Sequence, residues 1–167
     1  MQEEIFPIVN SKGEVIGSAT RTECHAGTFI LHPVVHLHIF NTQGELYLQK
    51  RVITKKIQPG KWDTAVGGHI DYGESIEKAL LRETKEELGI RYFTPEFLMS
   101  YEFRSSVEAE LVYVYKCEYN GDFNPDPTEV SEGKFWVESF GEIESRGARY
   151  IPRKNTDVKP LDLLIFC

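Results

Sequence analysis

Residues 68–90 read GHIDYGESIEKALLRETKEELGI and are the most informative part of this sequence. Ser75 is a typical helix N-cap and Gly89 a typical residue for ending a helix, so a helix is predicted between them. With about 100° of rotation per residue, three side chains fall on one side and are predicted to seat the helix on a core. These are Leu81, Thr84 and Leu88. We therefore expect the fold to be built around this helix.

The other side of the helix carries three carboxylates, Glu83, Glu86 and Glu87, within an arc of about 100°. Like charges on adjacent turns repel one another, and the helix dipole disfavours anions near the C-terminal end. Only Arg82 and Lys85 are near in sequence, so a bound hard cation is the natural compensation. Oxygen ligands with an open coordination shell suit Mg²⁺ or Mn²⁺. On spacing alone, an acidic surface helix explains the pattern equally well.

Strand patterns lie on both sides of the helix. Turn residues at 10–13 separate two short apolar runs and predict an N-terminal β-hairpin. Further strands are predicted at residues 34–40, 45–51, 62–70, 97–104, 111–119 and 134–137. His36 and His38 alternate with apolar residues and are expected to form a polar face of the first of these. Helical segments are expected at two further places, after Ser139 and at residues 160–166. This order predicts an α/β (α+β) fold, with helices packed on a mixed β-sheet.

The composition limits the classes of partner. The 167 residues carry 19 basic and 26 acidic side chains, and the net charge of −7 is a poor field for a nucleic-acid backbone. The apolar runs are far shorter than the roughly 20 residues that span a bilayer. The acidic start argues against a secretion signal, and the three cysteines have no disulfide or zinc spacing. We expect a cytoplasmic protein without nucleic-acid or membrane partners.

The fixed residues of the central stretch resemble the signature of the Nudix superfamily. That signature is a glycine, five residues, a glutamate, seven residues and then R-E-U-x-E-E-x-G-U, where U is bulky and aliphatic. Every invariant position is matched, and Thr84 at the first U is the one departure. The resemblance implies one Nudix domain over residues 1–167, with an N-terminal hairpin at 1–20 and the Nudix box at 68–90. It also implies that the fold is an α/β/α sandwich and that the activity is hydrolysis of a diphosphate linked to another group.

Carried over by position, the resemblance assigns roles to the residues of the box. The metal ligands would be Glu83, Glu86 and Glu87. One of these or a nearby glutamate would orient the attacking water, and Arg82 would hold a carboxylate in place. The residues assigned to catalysis are Glu86, Arg82 and Glu110. Those assigned to the structure of the box are Gly68, Glu74 and Gly89, with Glu74 bracing the loop onto the helix. The cation would polarise a phosphoryl oxygen and lower the pKa of a bound water.

Residues outside the box carry a more particular resemblance, to type 1 isopentenyl diphosphate isomerases, a branch of the same superfamily. The matching segments are Cys24-His25, His32-Pro33, Gly68-His69 and Glu108-Ala109-Glu110. This resemblance implies a second site for a divalent metal. Its ligands would be His25, His32, His69, Glu108 and Glu110. Without the family, these scattered residues would not stand out as ligands.

The same resemblance assigns Arg51 and Lys55 to the binding of a substrate diphosphate. Both lie in residues 50–61, which hold five basic side chains and no acid. Such a stretch can serve as a phosphate clamp on an otherwise acidic protein. An ordinary solvated loop is the alternative for any single lysine in it.

The isomerase chemistry itself is not expected, because this chain departs from the family where the chemistry takes place. Those enzymes carry a catalytic cysteine immediately before the Gly-His pair, where this chain has Gly67. Glycine can neither deliver nor accept a proton. Glu83 stands where the isomerases tend to have a basic residue, whereas the Nudix box is complete. The sequence therefore predicts a hydrolase site on an isomerase-like scaffold.

The predicted function is a Nudix hydrolase that depends on Mg²⁺ or Mn²⁺ and cleaves the phosphoanhydride of a small-molecule diphosphate, with a nucleotide-type substrate favoured. Two alternatives remain, an isopentenyl diphosphate isomerase-like enzyme and a non-catalytic sensor of a nucleotide or sugar ligand. Substrate specificity is expected to depend on the loops at residues 104–110 and 119–132. Exposed strand edges make a homodimer reasonable.

Overall fold

The computed structural model describes residues 3–55, 59–136, 149–150 and 164–165. Its elements in chain order are β1 (Ile5–Val9), β2 (Val15–Thr20), α1 (Arg21–Cys24), β3 (Leu31–Phe40), β4 (Leu46–Arg51), β5 (Trp62–Asp63), β6 (Val66–His69), α2 (Ile76–Leu88), β7 (Glu96–Arg104), β8 (Ala109–Glu118), β9 (Val130–Trp136), β10 (Arg149–Tyr150) and β11 (Leu164–Ile165). Among these residues, α2 is the one long helix, and the strands surround it in sequence as predicted.

The main sheet is mixed and branched. Its strands follow the order β5-β4-β3-β8-β7, while β6 pairs with β3 and β9 pairs with β4. β3 and β8 run parallel, and the other pairs are antiparallel. One edge of β3 changes partner along its length, from β6 at Val34–Leu37 to β4 at Ile39 and Phe40. The strands β4 and β6 therefore separate from each other beside β3. The predicted mixed sheet is confirmed.

Both faces of β3 are buried, which differs from the expected polar face. Val35 and Leu37 pack in the cluster that contains the apolar side chains of α2. Val34, on the other face, packs with Val112 and Val114 of β8. His38 is 1% exposed because that second face is also covered. Alternation alone cannot separate a solvated polar face from a buried one.

The central helix begins and ends where the sequence predicts. The Ser75 hydroxyl accepts a hydrogen bond from the backbone N–H of Lys78 at 3.3 Å. Gly89 ends the helix in the left-handed conformation, with φ 71°. A Cβ on Gly89 would lie 2.9 Å from Asn124, so the close approach of that loop also requires glycine.

The side of α2 that faces the core differs in part from the prediction. Leu81 is 46% exposed, and the prediction that it seats the helix is wrong. The buried side chains are Ala79, Leu80, Thr84, Glu87 and Leu88. The Thr84 hydroxyl donates to the carbonyl of Leu80 at 2.6 Å, which satisfies this polar group in the core. The buried face of α2 also includes Glu87, which the sequence analysis placed on the opposite side of the helix with the other carboxylates.

The N-terminal hairpin is confirmed, since β1 and β2 pair antiparallel. The segment at 62–70 forms two short strands rather than one, and β9 begins at Val130 rather than at Lys134. The prediction of a helical turn at the C-terminus is wrong for Leu164–Ile165, which pairs as a strand with Arg149–Tyr150. The helical stretch expected after Ser139 begins outside the described residues. No helix in the described ranges is both long and apolar enough to cross a lipid bilayer.

We expect His38→Gln to weaken the pH dependence of stability below pH 6.5. The His38 ring lies 3.2 Å from the Thr64 hydroxyl, and burial lowers its pKa to about 3. The pKa of a histidine in the unfolded chain is about 6.5, so unfolding takes up a proton between pH 6.5 and about pH 3. The free energy of unfolding therefore falls as the pH is lowered through this range. In His38→Gln, the free energy of unfolding should fall by about 1.4 kcal/mol less per pH unit than in the wild-type chain. Urea unfolding at pH 7, 6 and 5 measures both slopes, and equal slopes would contradict the assignment.

Candidate metal and phosphate sites

Arg82 ties the loop before α2 to the helix. Its Nε and Nη2 donate to the two carboxylate oxygens of Glu74 at 3.0 and 2.8 Å, a bidentate pair. Nη2 also donates to the carbonyl of His69 at 3.0 Å. Nη1 donates to Glu83 at 2.7 Å and to Glu86 at 3.3 Å. The arginine therefore holds the loop, β6 and two of the helix carboxylates together.

Glu83 lies directly over the backbone of Gly68. A Cβ on Gly68 would lie 2.0 Å from Glu83 Cδ and 2.4 Å from its Cγ, distances that no structure tolerates. The absence of a side chain at this position is what admits the carboxylate. Burial raises the pKa of Glu83, and the hydrogen bond from Arg82 opposes that shift.

Glu87 is buried and has a partner that sequence analysis missed. Gln49 of β4 donates from its side-chain nitrogen to Glu87 at 2.7 Å, across 38 residues of sequence. Burial raises the pKa of Glu87 to about 8, and the charge of Glu83 adds to the effect. The side-chain oxygen of Gln49 is buried without a hydrogen-bond partner. A buried carboxylate beside an acceptor that lacks a donor suits a site for a cation or its bound water.

The box carboxylates do not converge on one point. Among the described residues, two groups of three His, Cys, Asp or Glu side chains bring their ligand atoms within 4.8 Å of one another. They are His25 with His32 and His69, and His32 with Glu108 and Glu110. Glu83 and Glu86 are instead drawn to Arg82, while Gln49 holds Glu87. The structure thus gathers the histidines and glutamates outside the box more closely than those of the box.

Four separate elements bring the histidine cluster together. It is formed by His25 at the end of α1, His32 on β3, His69 on β6, and Glu108 and Glu110 at the start of β8. Parallel pairing of β3 and β8 sets His32 opposite Glu110. The Nε2 atom of His25 lies 3.2 Å from Nε2 of His69 and 2.9 Å from a Glu108 oxygen.

The hairpin covers this cluster through Phe6, a residue that no motif singled out. Phe6 is fully buried. Its ring stacks on His69 at 4.4 Å between centroids and on His32 at 5.7 Å. An apolar ring over the imidazoles limits their contact with water, so the hairpin fixes both the orientation and the environment of the cluster.

The charge state of the cluster suits a metal ion. Burial lowers the pKa of His25 to about 4 and that of His69 well below its usual value, so both imidazoles are neutral at pH 7. His32 Nδ1 lies 3.0 Å from the Ile30 carbonyl and donates to it. Its Nε2 atom is buried without a hydrogen-bond partner, with the lone pair free for a cation. This is the arrangement in which histidines usually bind metals.

The two sets of ligands lie on opposite faces of the β3–β6 pair. His69 pairs with Val34, and Gly68, which carries Glu83 above it, pairs with Val35 on the face that α2 covers. Asp63, which the sequence did not mark, connects the two sets. Its charge adds to the burial that raises the pKa of Glu87 and of Glu110 to about 8 each.

The predicted phosphate-binding cations both face carboxylates. Arg51 lies 3.2 Å from an oxygen of Asp63, and Lys55 pairs with Glu129. Arg51 belongs to β4, and Lys55 follows in the loop after it. Each cation therefore lies beside a carboxylate, and the binding of a diphosphate by Arg51 and Lys55 stays a prediction.

This fold and these sites define the class of protein. A family model described as the NUDIX domain matches residues 30–151, more than half of the chain, and the chain belongs to the Nudix family. The match and a MutT structure that is 25% identical to the chain support a Nudix hydrolase. The signature predicted this family correctly.

One curated relative agrees with the second resemblance, and two solved structures are similar to the chain. The chain is 30% identical over 138 residues to isopentenyl-diphosphate Delta-isomerase of Shigella boydii serotype 4 (strain Sb227). The aligned region covers 79% of this chain and 76% of that enzyme. DR0079 from Deinococcus radiodurans has a TM-score of 0.68 and 28% identity, over 79% of this chain and 82% of that one. The MutT protein of Methanosarcina mazei Go1 has a TM-score of 0.57 and 25% identity, over 63% and 75%.

Proposed function

We propose that this protein hydrolyses the phosphoanhydride of a nucleotide-type diphosphate with Mg²⁺ or Mn²⁺ at the box glutamates. The observation that carries the proposal is the position of the half-buried Glu83 and the buried Glu87 one turn apart on α2, each with a pKa raised by burial. Glu83 accepts a hydrogen bond from Arg82, whereas Glu87 accepts one from the neutral Gln49, and a hard divalent cation would supply the positive charge that this pair lacks. The acidic surface helix left open by the sequence has no reason to bury a carboxylate.

The residues of the chain then divide the work. Glu83, Glu86 and Glu87 would hold the cation, which would polarise the phosphoryl oxygen and acidify a bound water. Arg82 keeps Glu83 and Glu86 oriented, since it donates to both. Arg51 would bind the diphosphate through its planar guanidinium and Lys55 as a point charge. Positioning of this kind supplies most of the catalysis in phosphoryl transfer.

We also propose that the histidine cluster binds a divalent metal. Its ligands would be His25, His32, His69, Glu108 and Glu110. The Nε2 atom of His32 supports this, because it is buried without a hydrogen-bond partner and can offer its lone pair to a cation. Glu110 is also the glutamate outside the box that we assign to catalysis.

Isomerisation is the second candidate, and the curated relative's name favours it. Against it, Gly67 offers no group to transfer a proton, although a Cβ there would meet only ordinary contacts, 3.5 Å from His36 at the closest. A sensor that binds a nucleotide or sugar without turnover is the third, and buried metal-type carboxylates count against it.

The test is a panel of nucleoside diphosphate derivatives and isopentenyl diphosphate, assayed with Mg²⁺ or Mn²⁺ for phosphate release and for isomerisation. We expect Glu86→Gln to lower metal-dependent hydrolysis by about a hundredfold. Glu86 is exposed, so its replacement spares the core. The matched control is Glu77→Gln, an exposed residue of the same helix that removes the same charge and should keep full activity.

Three results would contradict the proposal. Equal rates for Glu86→Gln and Glu77→Gln would remove the box from the reaction. Binding of nucleotides with no turnover would favour the sensor, and isomerisation by the wild-type chain would show that Gly67 does not prevent that chemistry.

A further inference from the structure

The backbone of Glu129 lies between the end of α2 and the segment that follows β4 and contains Lys55. The backbone N–H of Asp126 donates to the Glu87 carbonyl at 3.0 Å, and that of Glu129 donates to the Asp126 carbonyl at 3.0 Å. The Glu129 carbonyl in turn accepts from the N–H of Val52 at 3.2 Å. Glu129 is therefore held by its backbone to both the end of α2 and the segment that precedes Lys55.

The side chain of Glu129 covers Lys55. Their ion pair leaves the lysine side chain 27% exposed and the glutamate side chain 40% exposed. The charge of Glu129 is also one of those that raise the pKa of Glu87, which places its carboxylate within electrostatic range of the box. One acidic side chain thus stands between the cation expected to bind phosphate and the carboxylates expected to bind metal.

We propose that Glu129 is a specificity-determining residue that occupies the phosphate position on Lys55 and must be displaced by the substrate. This inference rests on the proposed function, since it takes Lys55 as a phosphate-binding residue. A carboxylate carries one negative charge, whereas a phosphate group carries up to two and offers three acceptor oxygens. A tethered carboxylate competes at a high effective concentration, so singly charged ligands do not reach Lys55.

Displacement adds a second effect near the box. A Glu129 carboxylate released from Lys55 would stay within electrostatic range of Glu87, because its backbone is fixed at both ends. The exchange would leave this negative charge without its lysine partner, and a divalent cation at the box would balance it. Binding of diphosphate and of metal would therefore support each other.

The experiment measures binding of inorganic pyrophosphate and of inorganic phosphate by calorimetry. We expect Glu129→Gln to tighten pyrophosphate binding about fivefold, the upper range for release of a partly exposed ion pair. The matched control is Glu132→Gln, which removes the same charge from β9, where Glu132 pairs with Lys50 at 3.9 Å. It should leave pyrophosphate affinity unchanged. In the Lys55→Ala background, Glu129→Gln should have no effect.

Each outcome decides the inference separately from the proposed function. Tighter binding in Glu129→Gln that depends on Lys55 supports the competition, even if no substrate of the panel is hydrolysed. Unchanged or weaker binding overturns it, even if hydrolysis is found. An equal gain in Glu132→Gln also overturns it, because the effect would then reflect net charge alone.

Discussion

Gly68→Ala is expected to lower the metal-dependent hydrolysis by more than about a hundredfold. The new Cβ would lie 2.0 Å from Glu83 Cδ and 2.4 Å from Cγ, so the Glu83 carboxylate must move by more than an ångström. A misplacement of that size in a group that orients a reacting centre costs about a hundredfold in rate. Crowding of the half-buried site should also lower the free energy of unfolding by about 1–3 kcal/mol.

The neighbouring glycine is the control for Gly68→Ala. A Cβ on Gly67 would meet its closest neighbour at 3.5 Å, which is an ordinary contact. Gly67→Ala should therefore keep the activity and the stability of the wild-type chain. Phosphate-release rates and urea unfolding compare the two variants directly. Similar losses in both would mean that backbone flexibility, rather than the position of Glu83, makes glycine necessary here.

The parts of the fold that sequence analysis predicted correctly depend on local chemistry. The Ser75 cap, the Gly89 stop and the hairpin at residues 10–13 each need only a few adjacent residues to be recognised. The Nudix signature is also one continuous stretch. Such features are set by backbone conformation and short hydrogen bonds, and both can be inferred from residue type.

The parts that could not be predicted depend on partners far away in sequence. Gln49 contacts Glu87 across 38 residues, and Leu81 is exposed because the core packs against Ala79, Leu80 and Leu88 of the helix instead. The face of β3 that was expected to be polar is buried, and Val34 on it packs with Val112 and Val114 of the neighbouring strand β8. No periodicity within one element contains this information.

The histidine cluster could be predicted from the sequence only in part. Its residues were predicted through a family resemblance, and the structure brings them together as two groups of three that share His32, each with its ligand atoms within 4.8 Å of one another. The same resemblance could not supply Phe6 or Asp63, because neither belongs to a ligand motif. Both act on the ligands, Phe6 by stacking on them and Asp63 by its charge. The chemistry of the cluster therefore depends on this environment as well as on the five residues themselves.

Arg82→Ala is expected to lower the free energy of unfolding by about 2–4 kcal/mol. It removes the bidentate pair with Glu74, the bond to the His69 carbonyl and both bonds to the helix carboxylates. The buried Glu83 would lose the cation that opposes its desolvation, and the removal of one partner from such a pair is costly. Urea unfolding of the metal-free protein measures the loss without any contribution from bound ions.

Two further variants separate geometry from charge at Arg82. Arg82→Lys keeps the charge but not the planar fork, so it should recover less than half of the lost stability. Lys78→Ala removes an exposed cation of the same helix and should change stability by less than about 0.5 kcal/mol. Adding Mg²⁺ should stabilise the wild-type chain more than Arg82→Ala, because Glu83 and Glu86 lose their common anchor. An equal gain would show that the metal orders these carboxylates without the arginine.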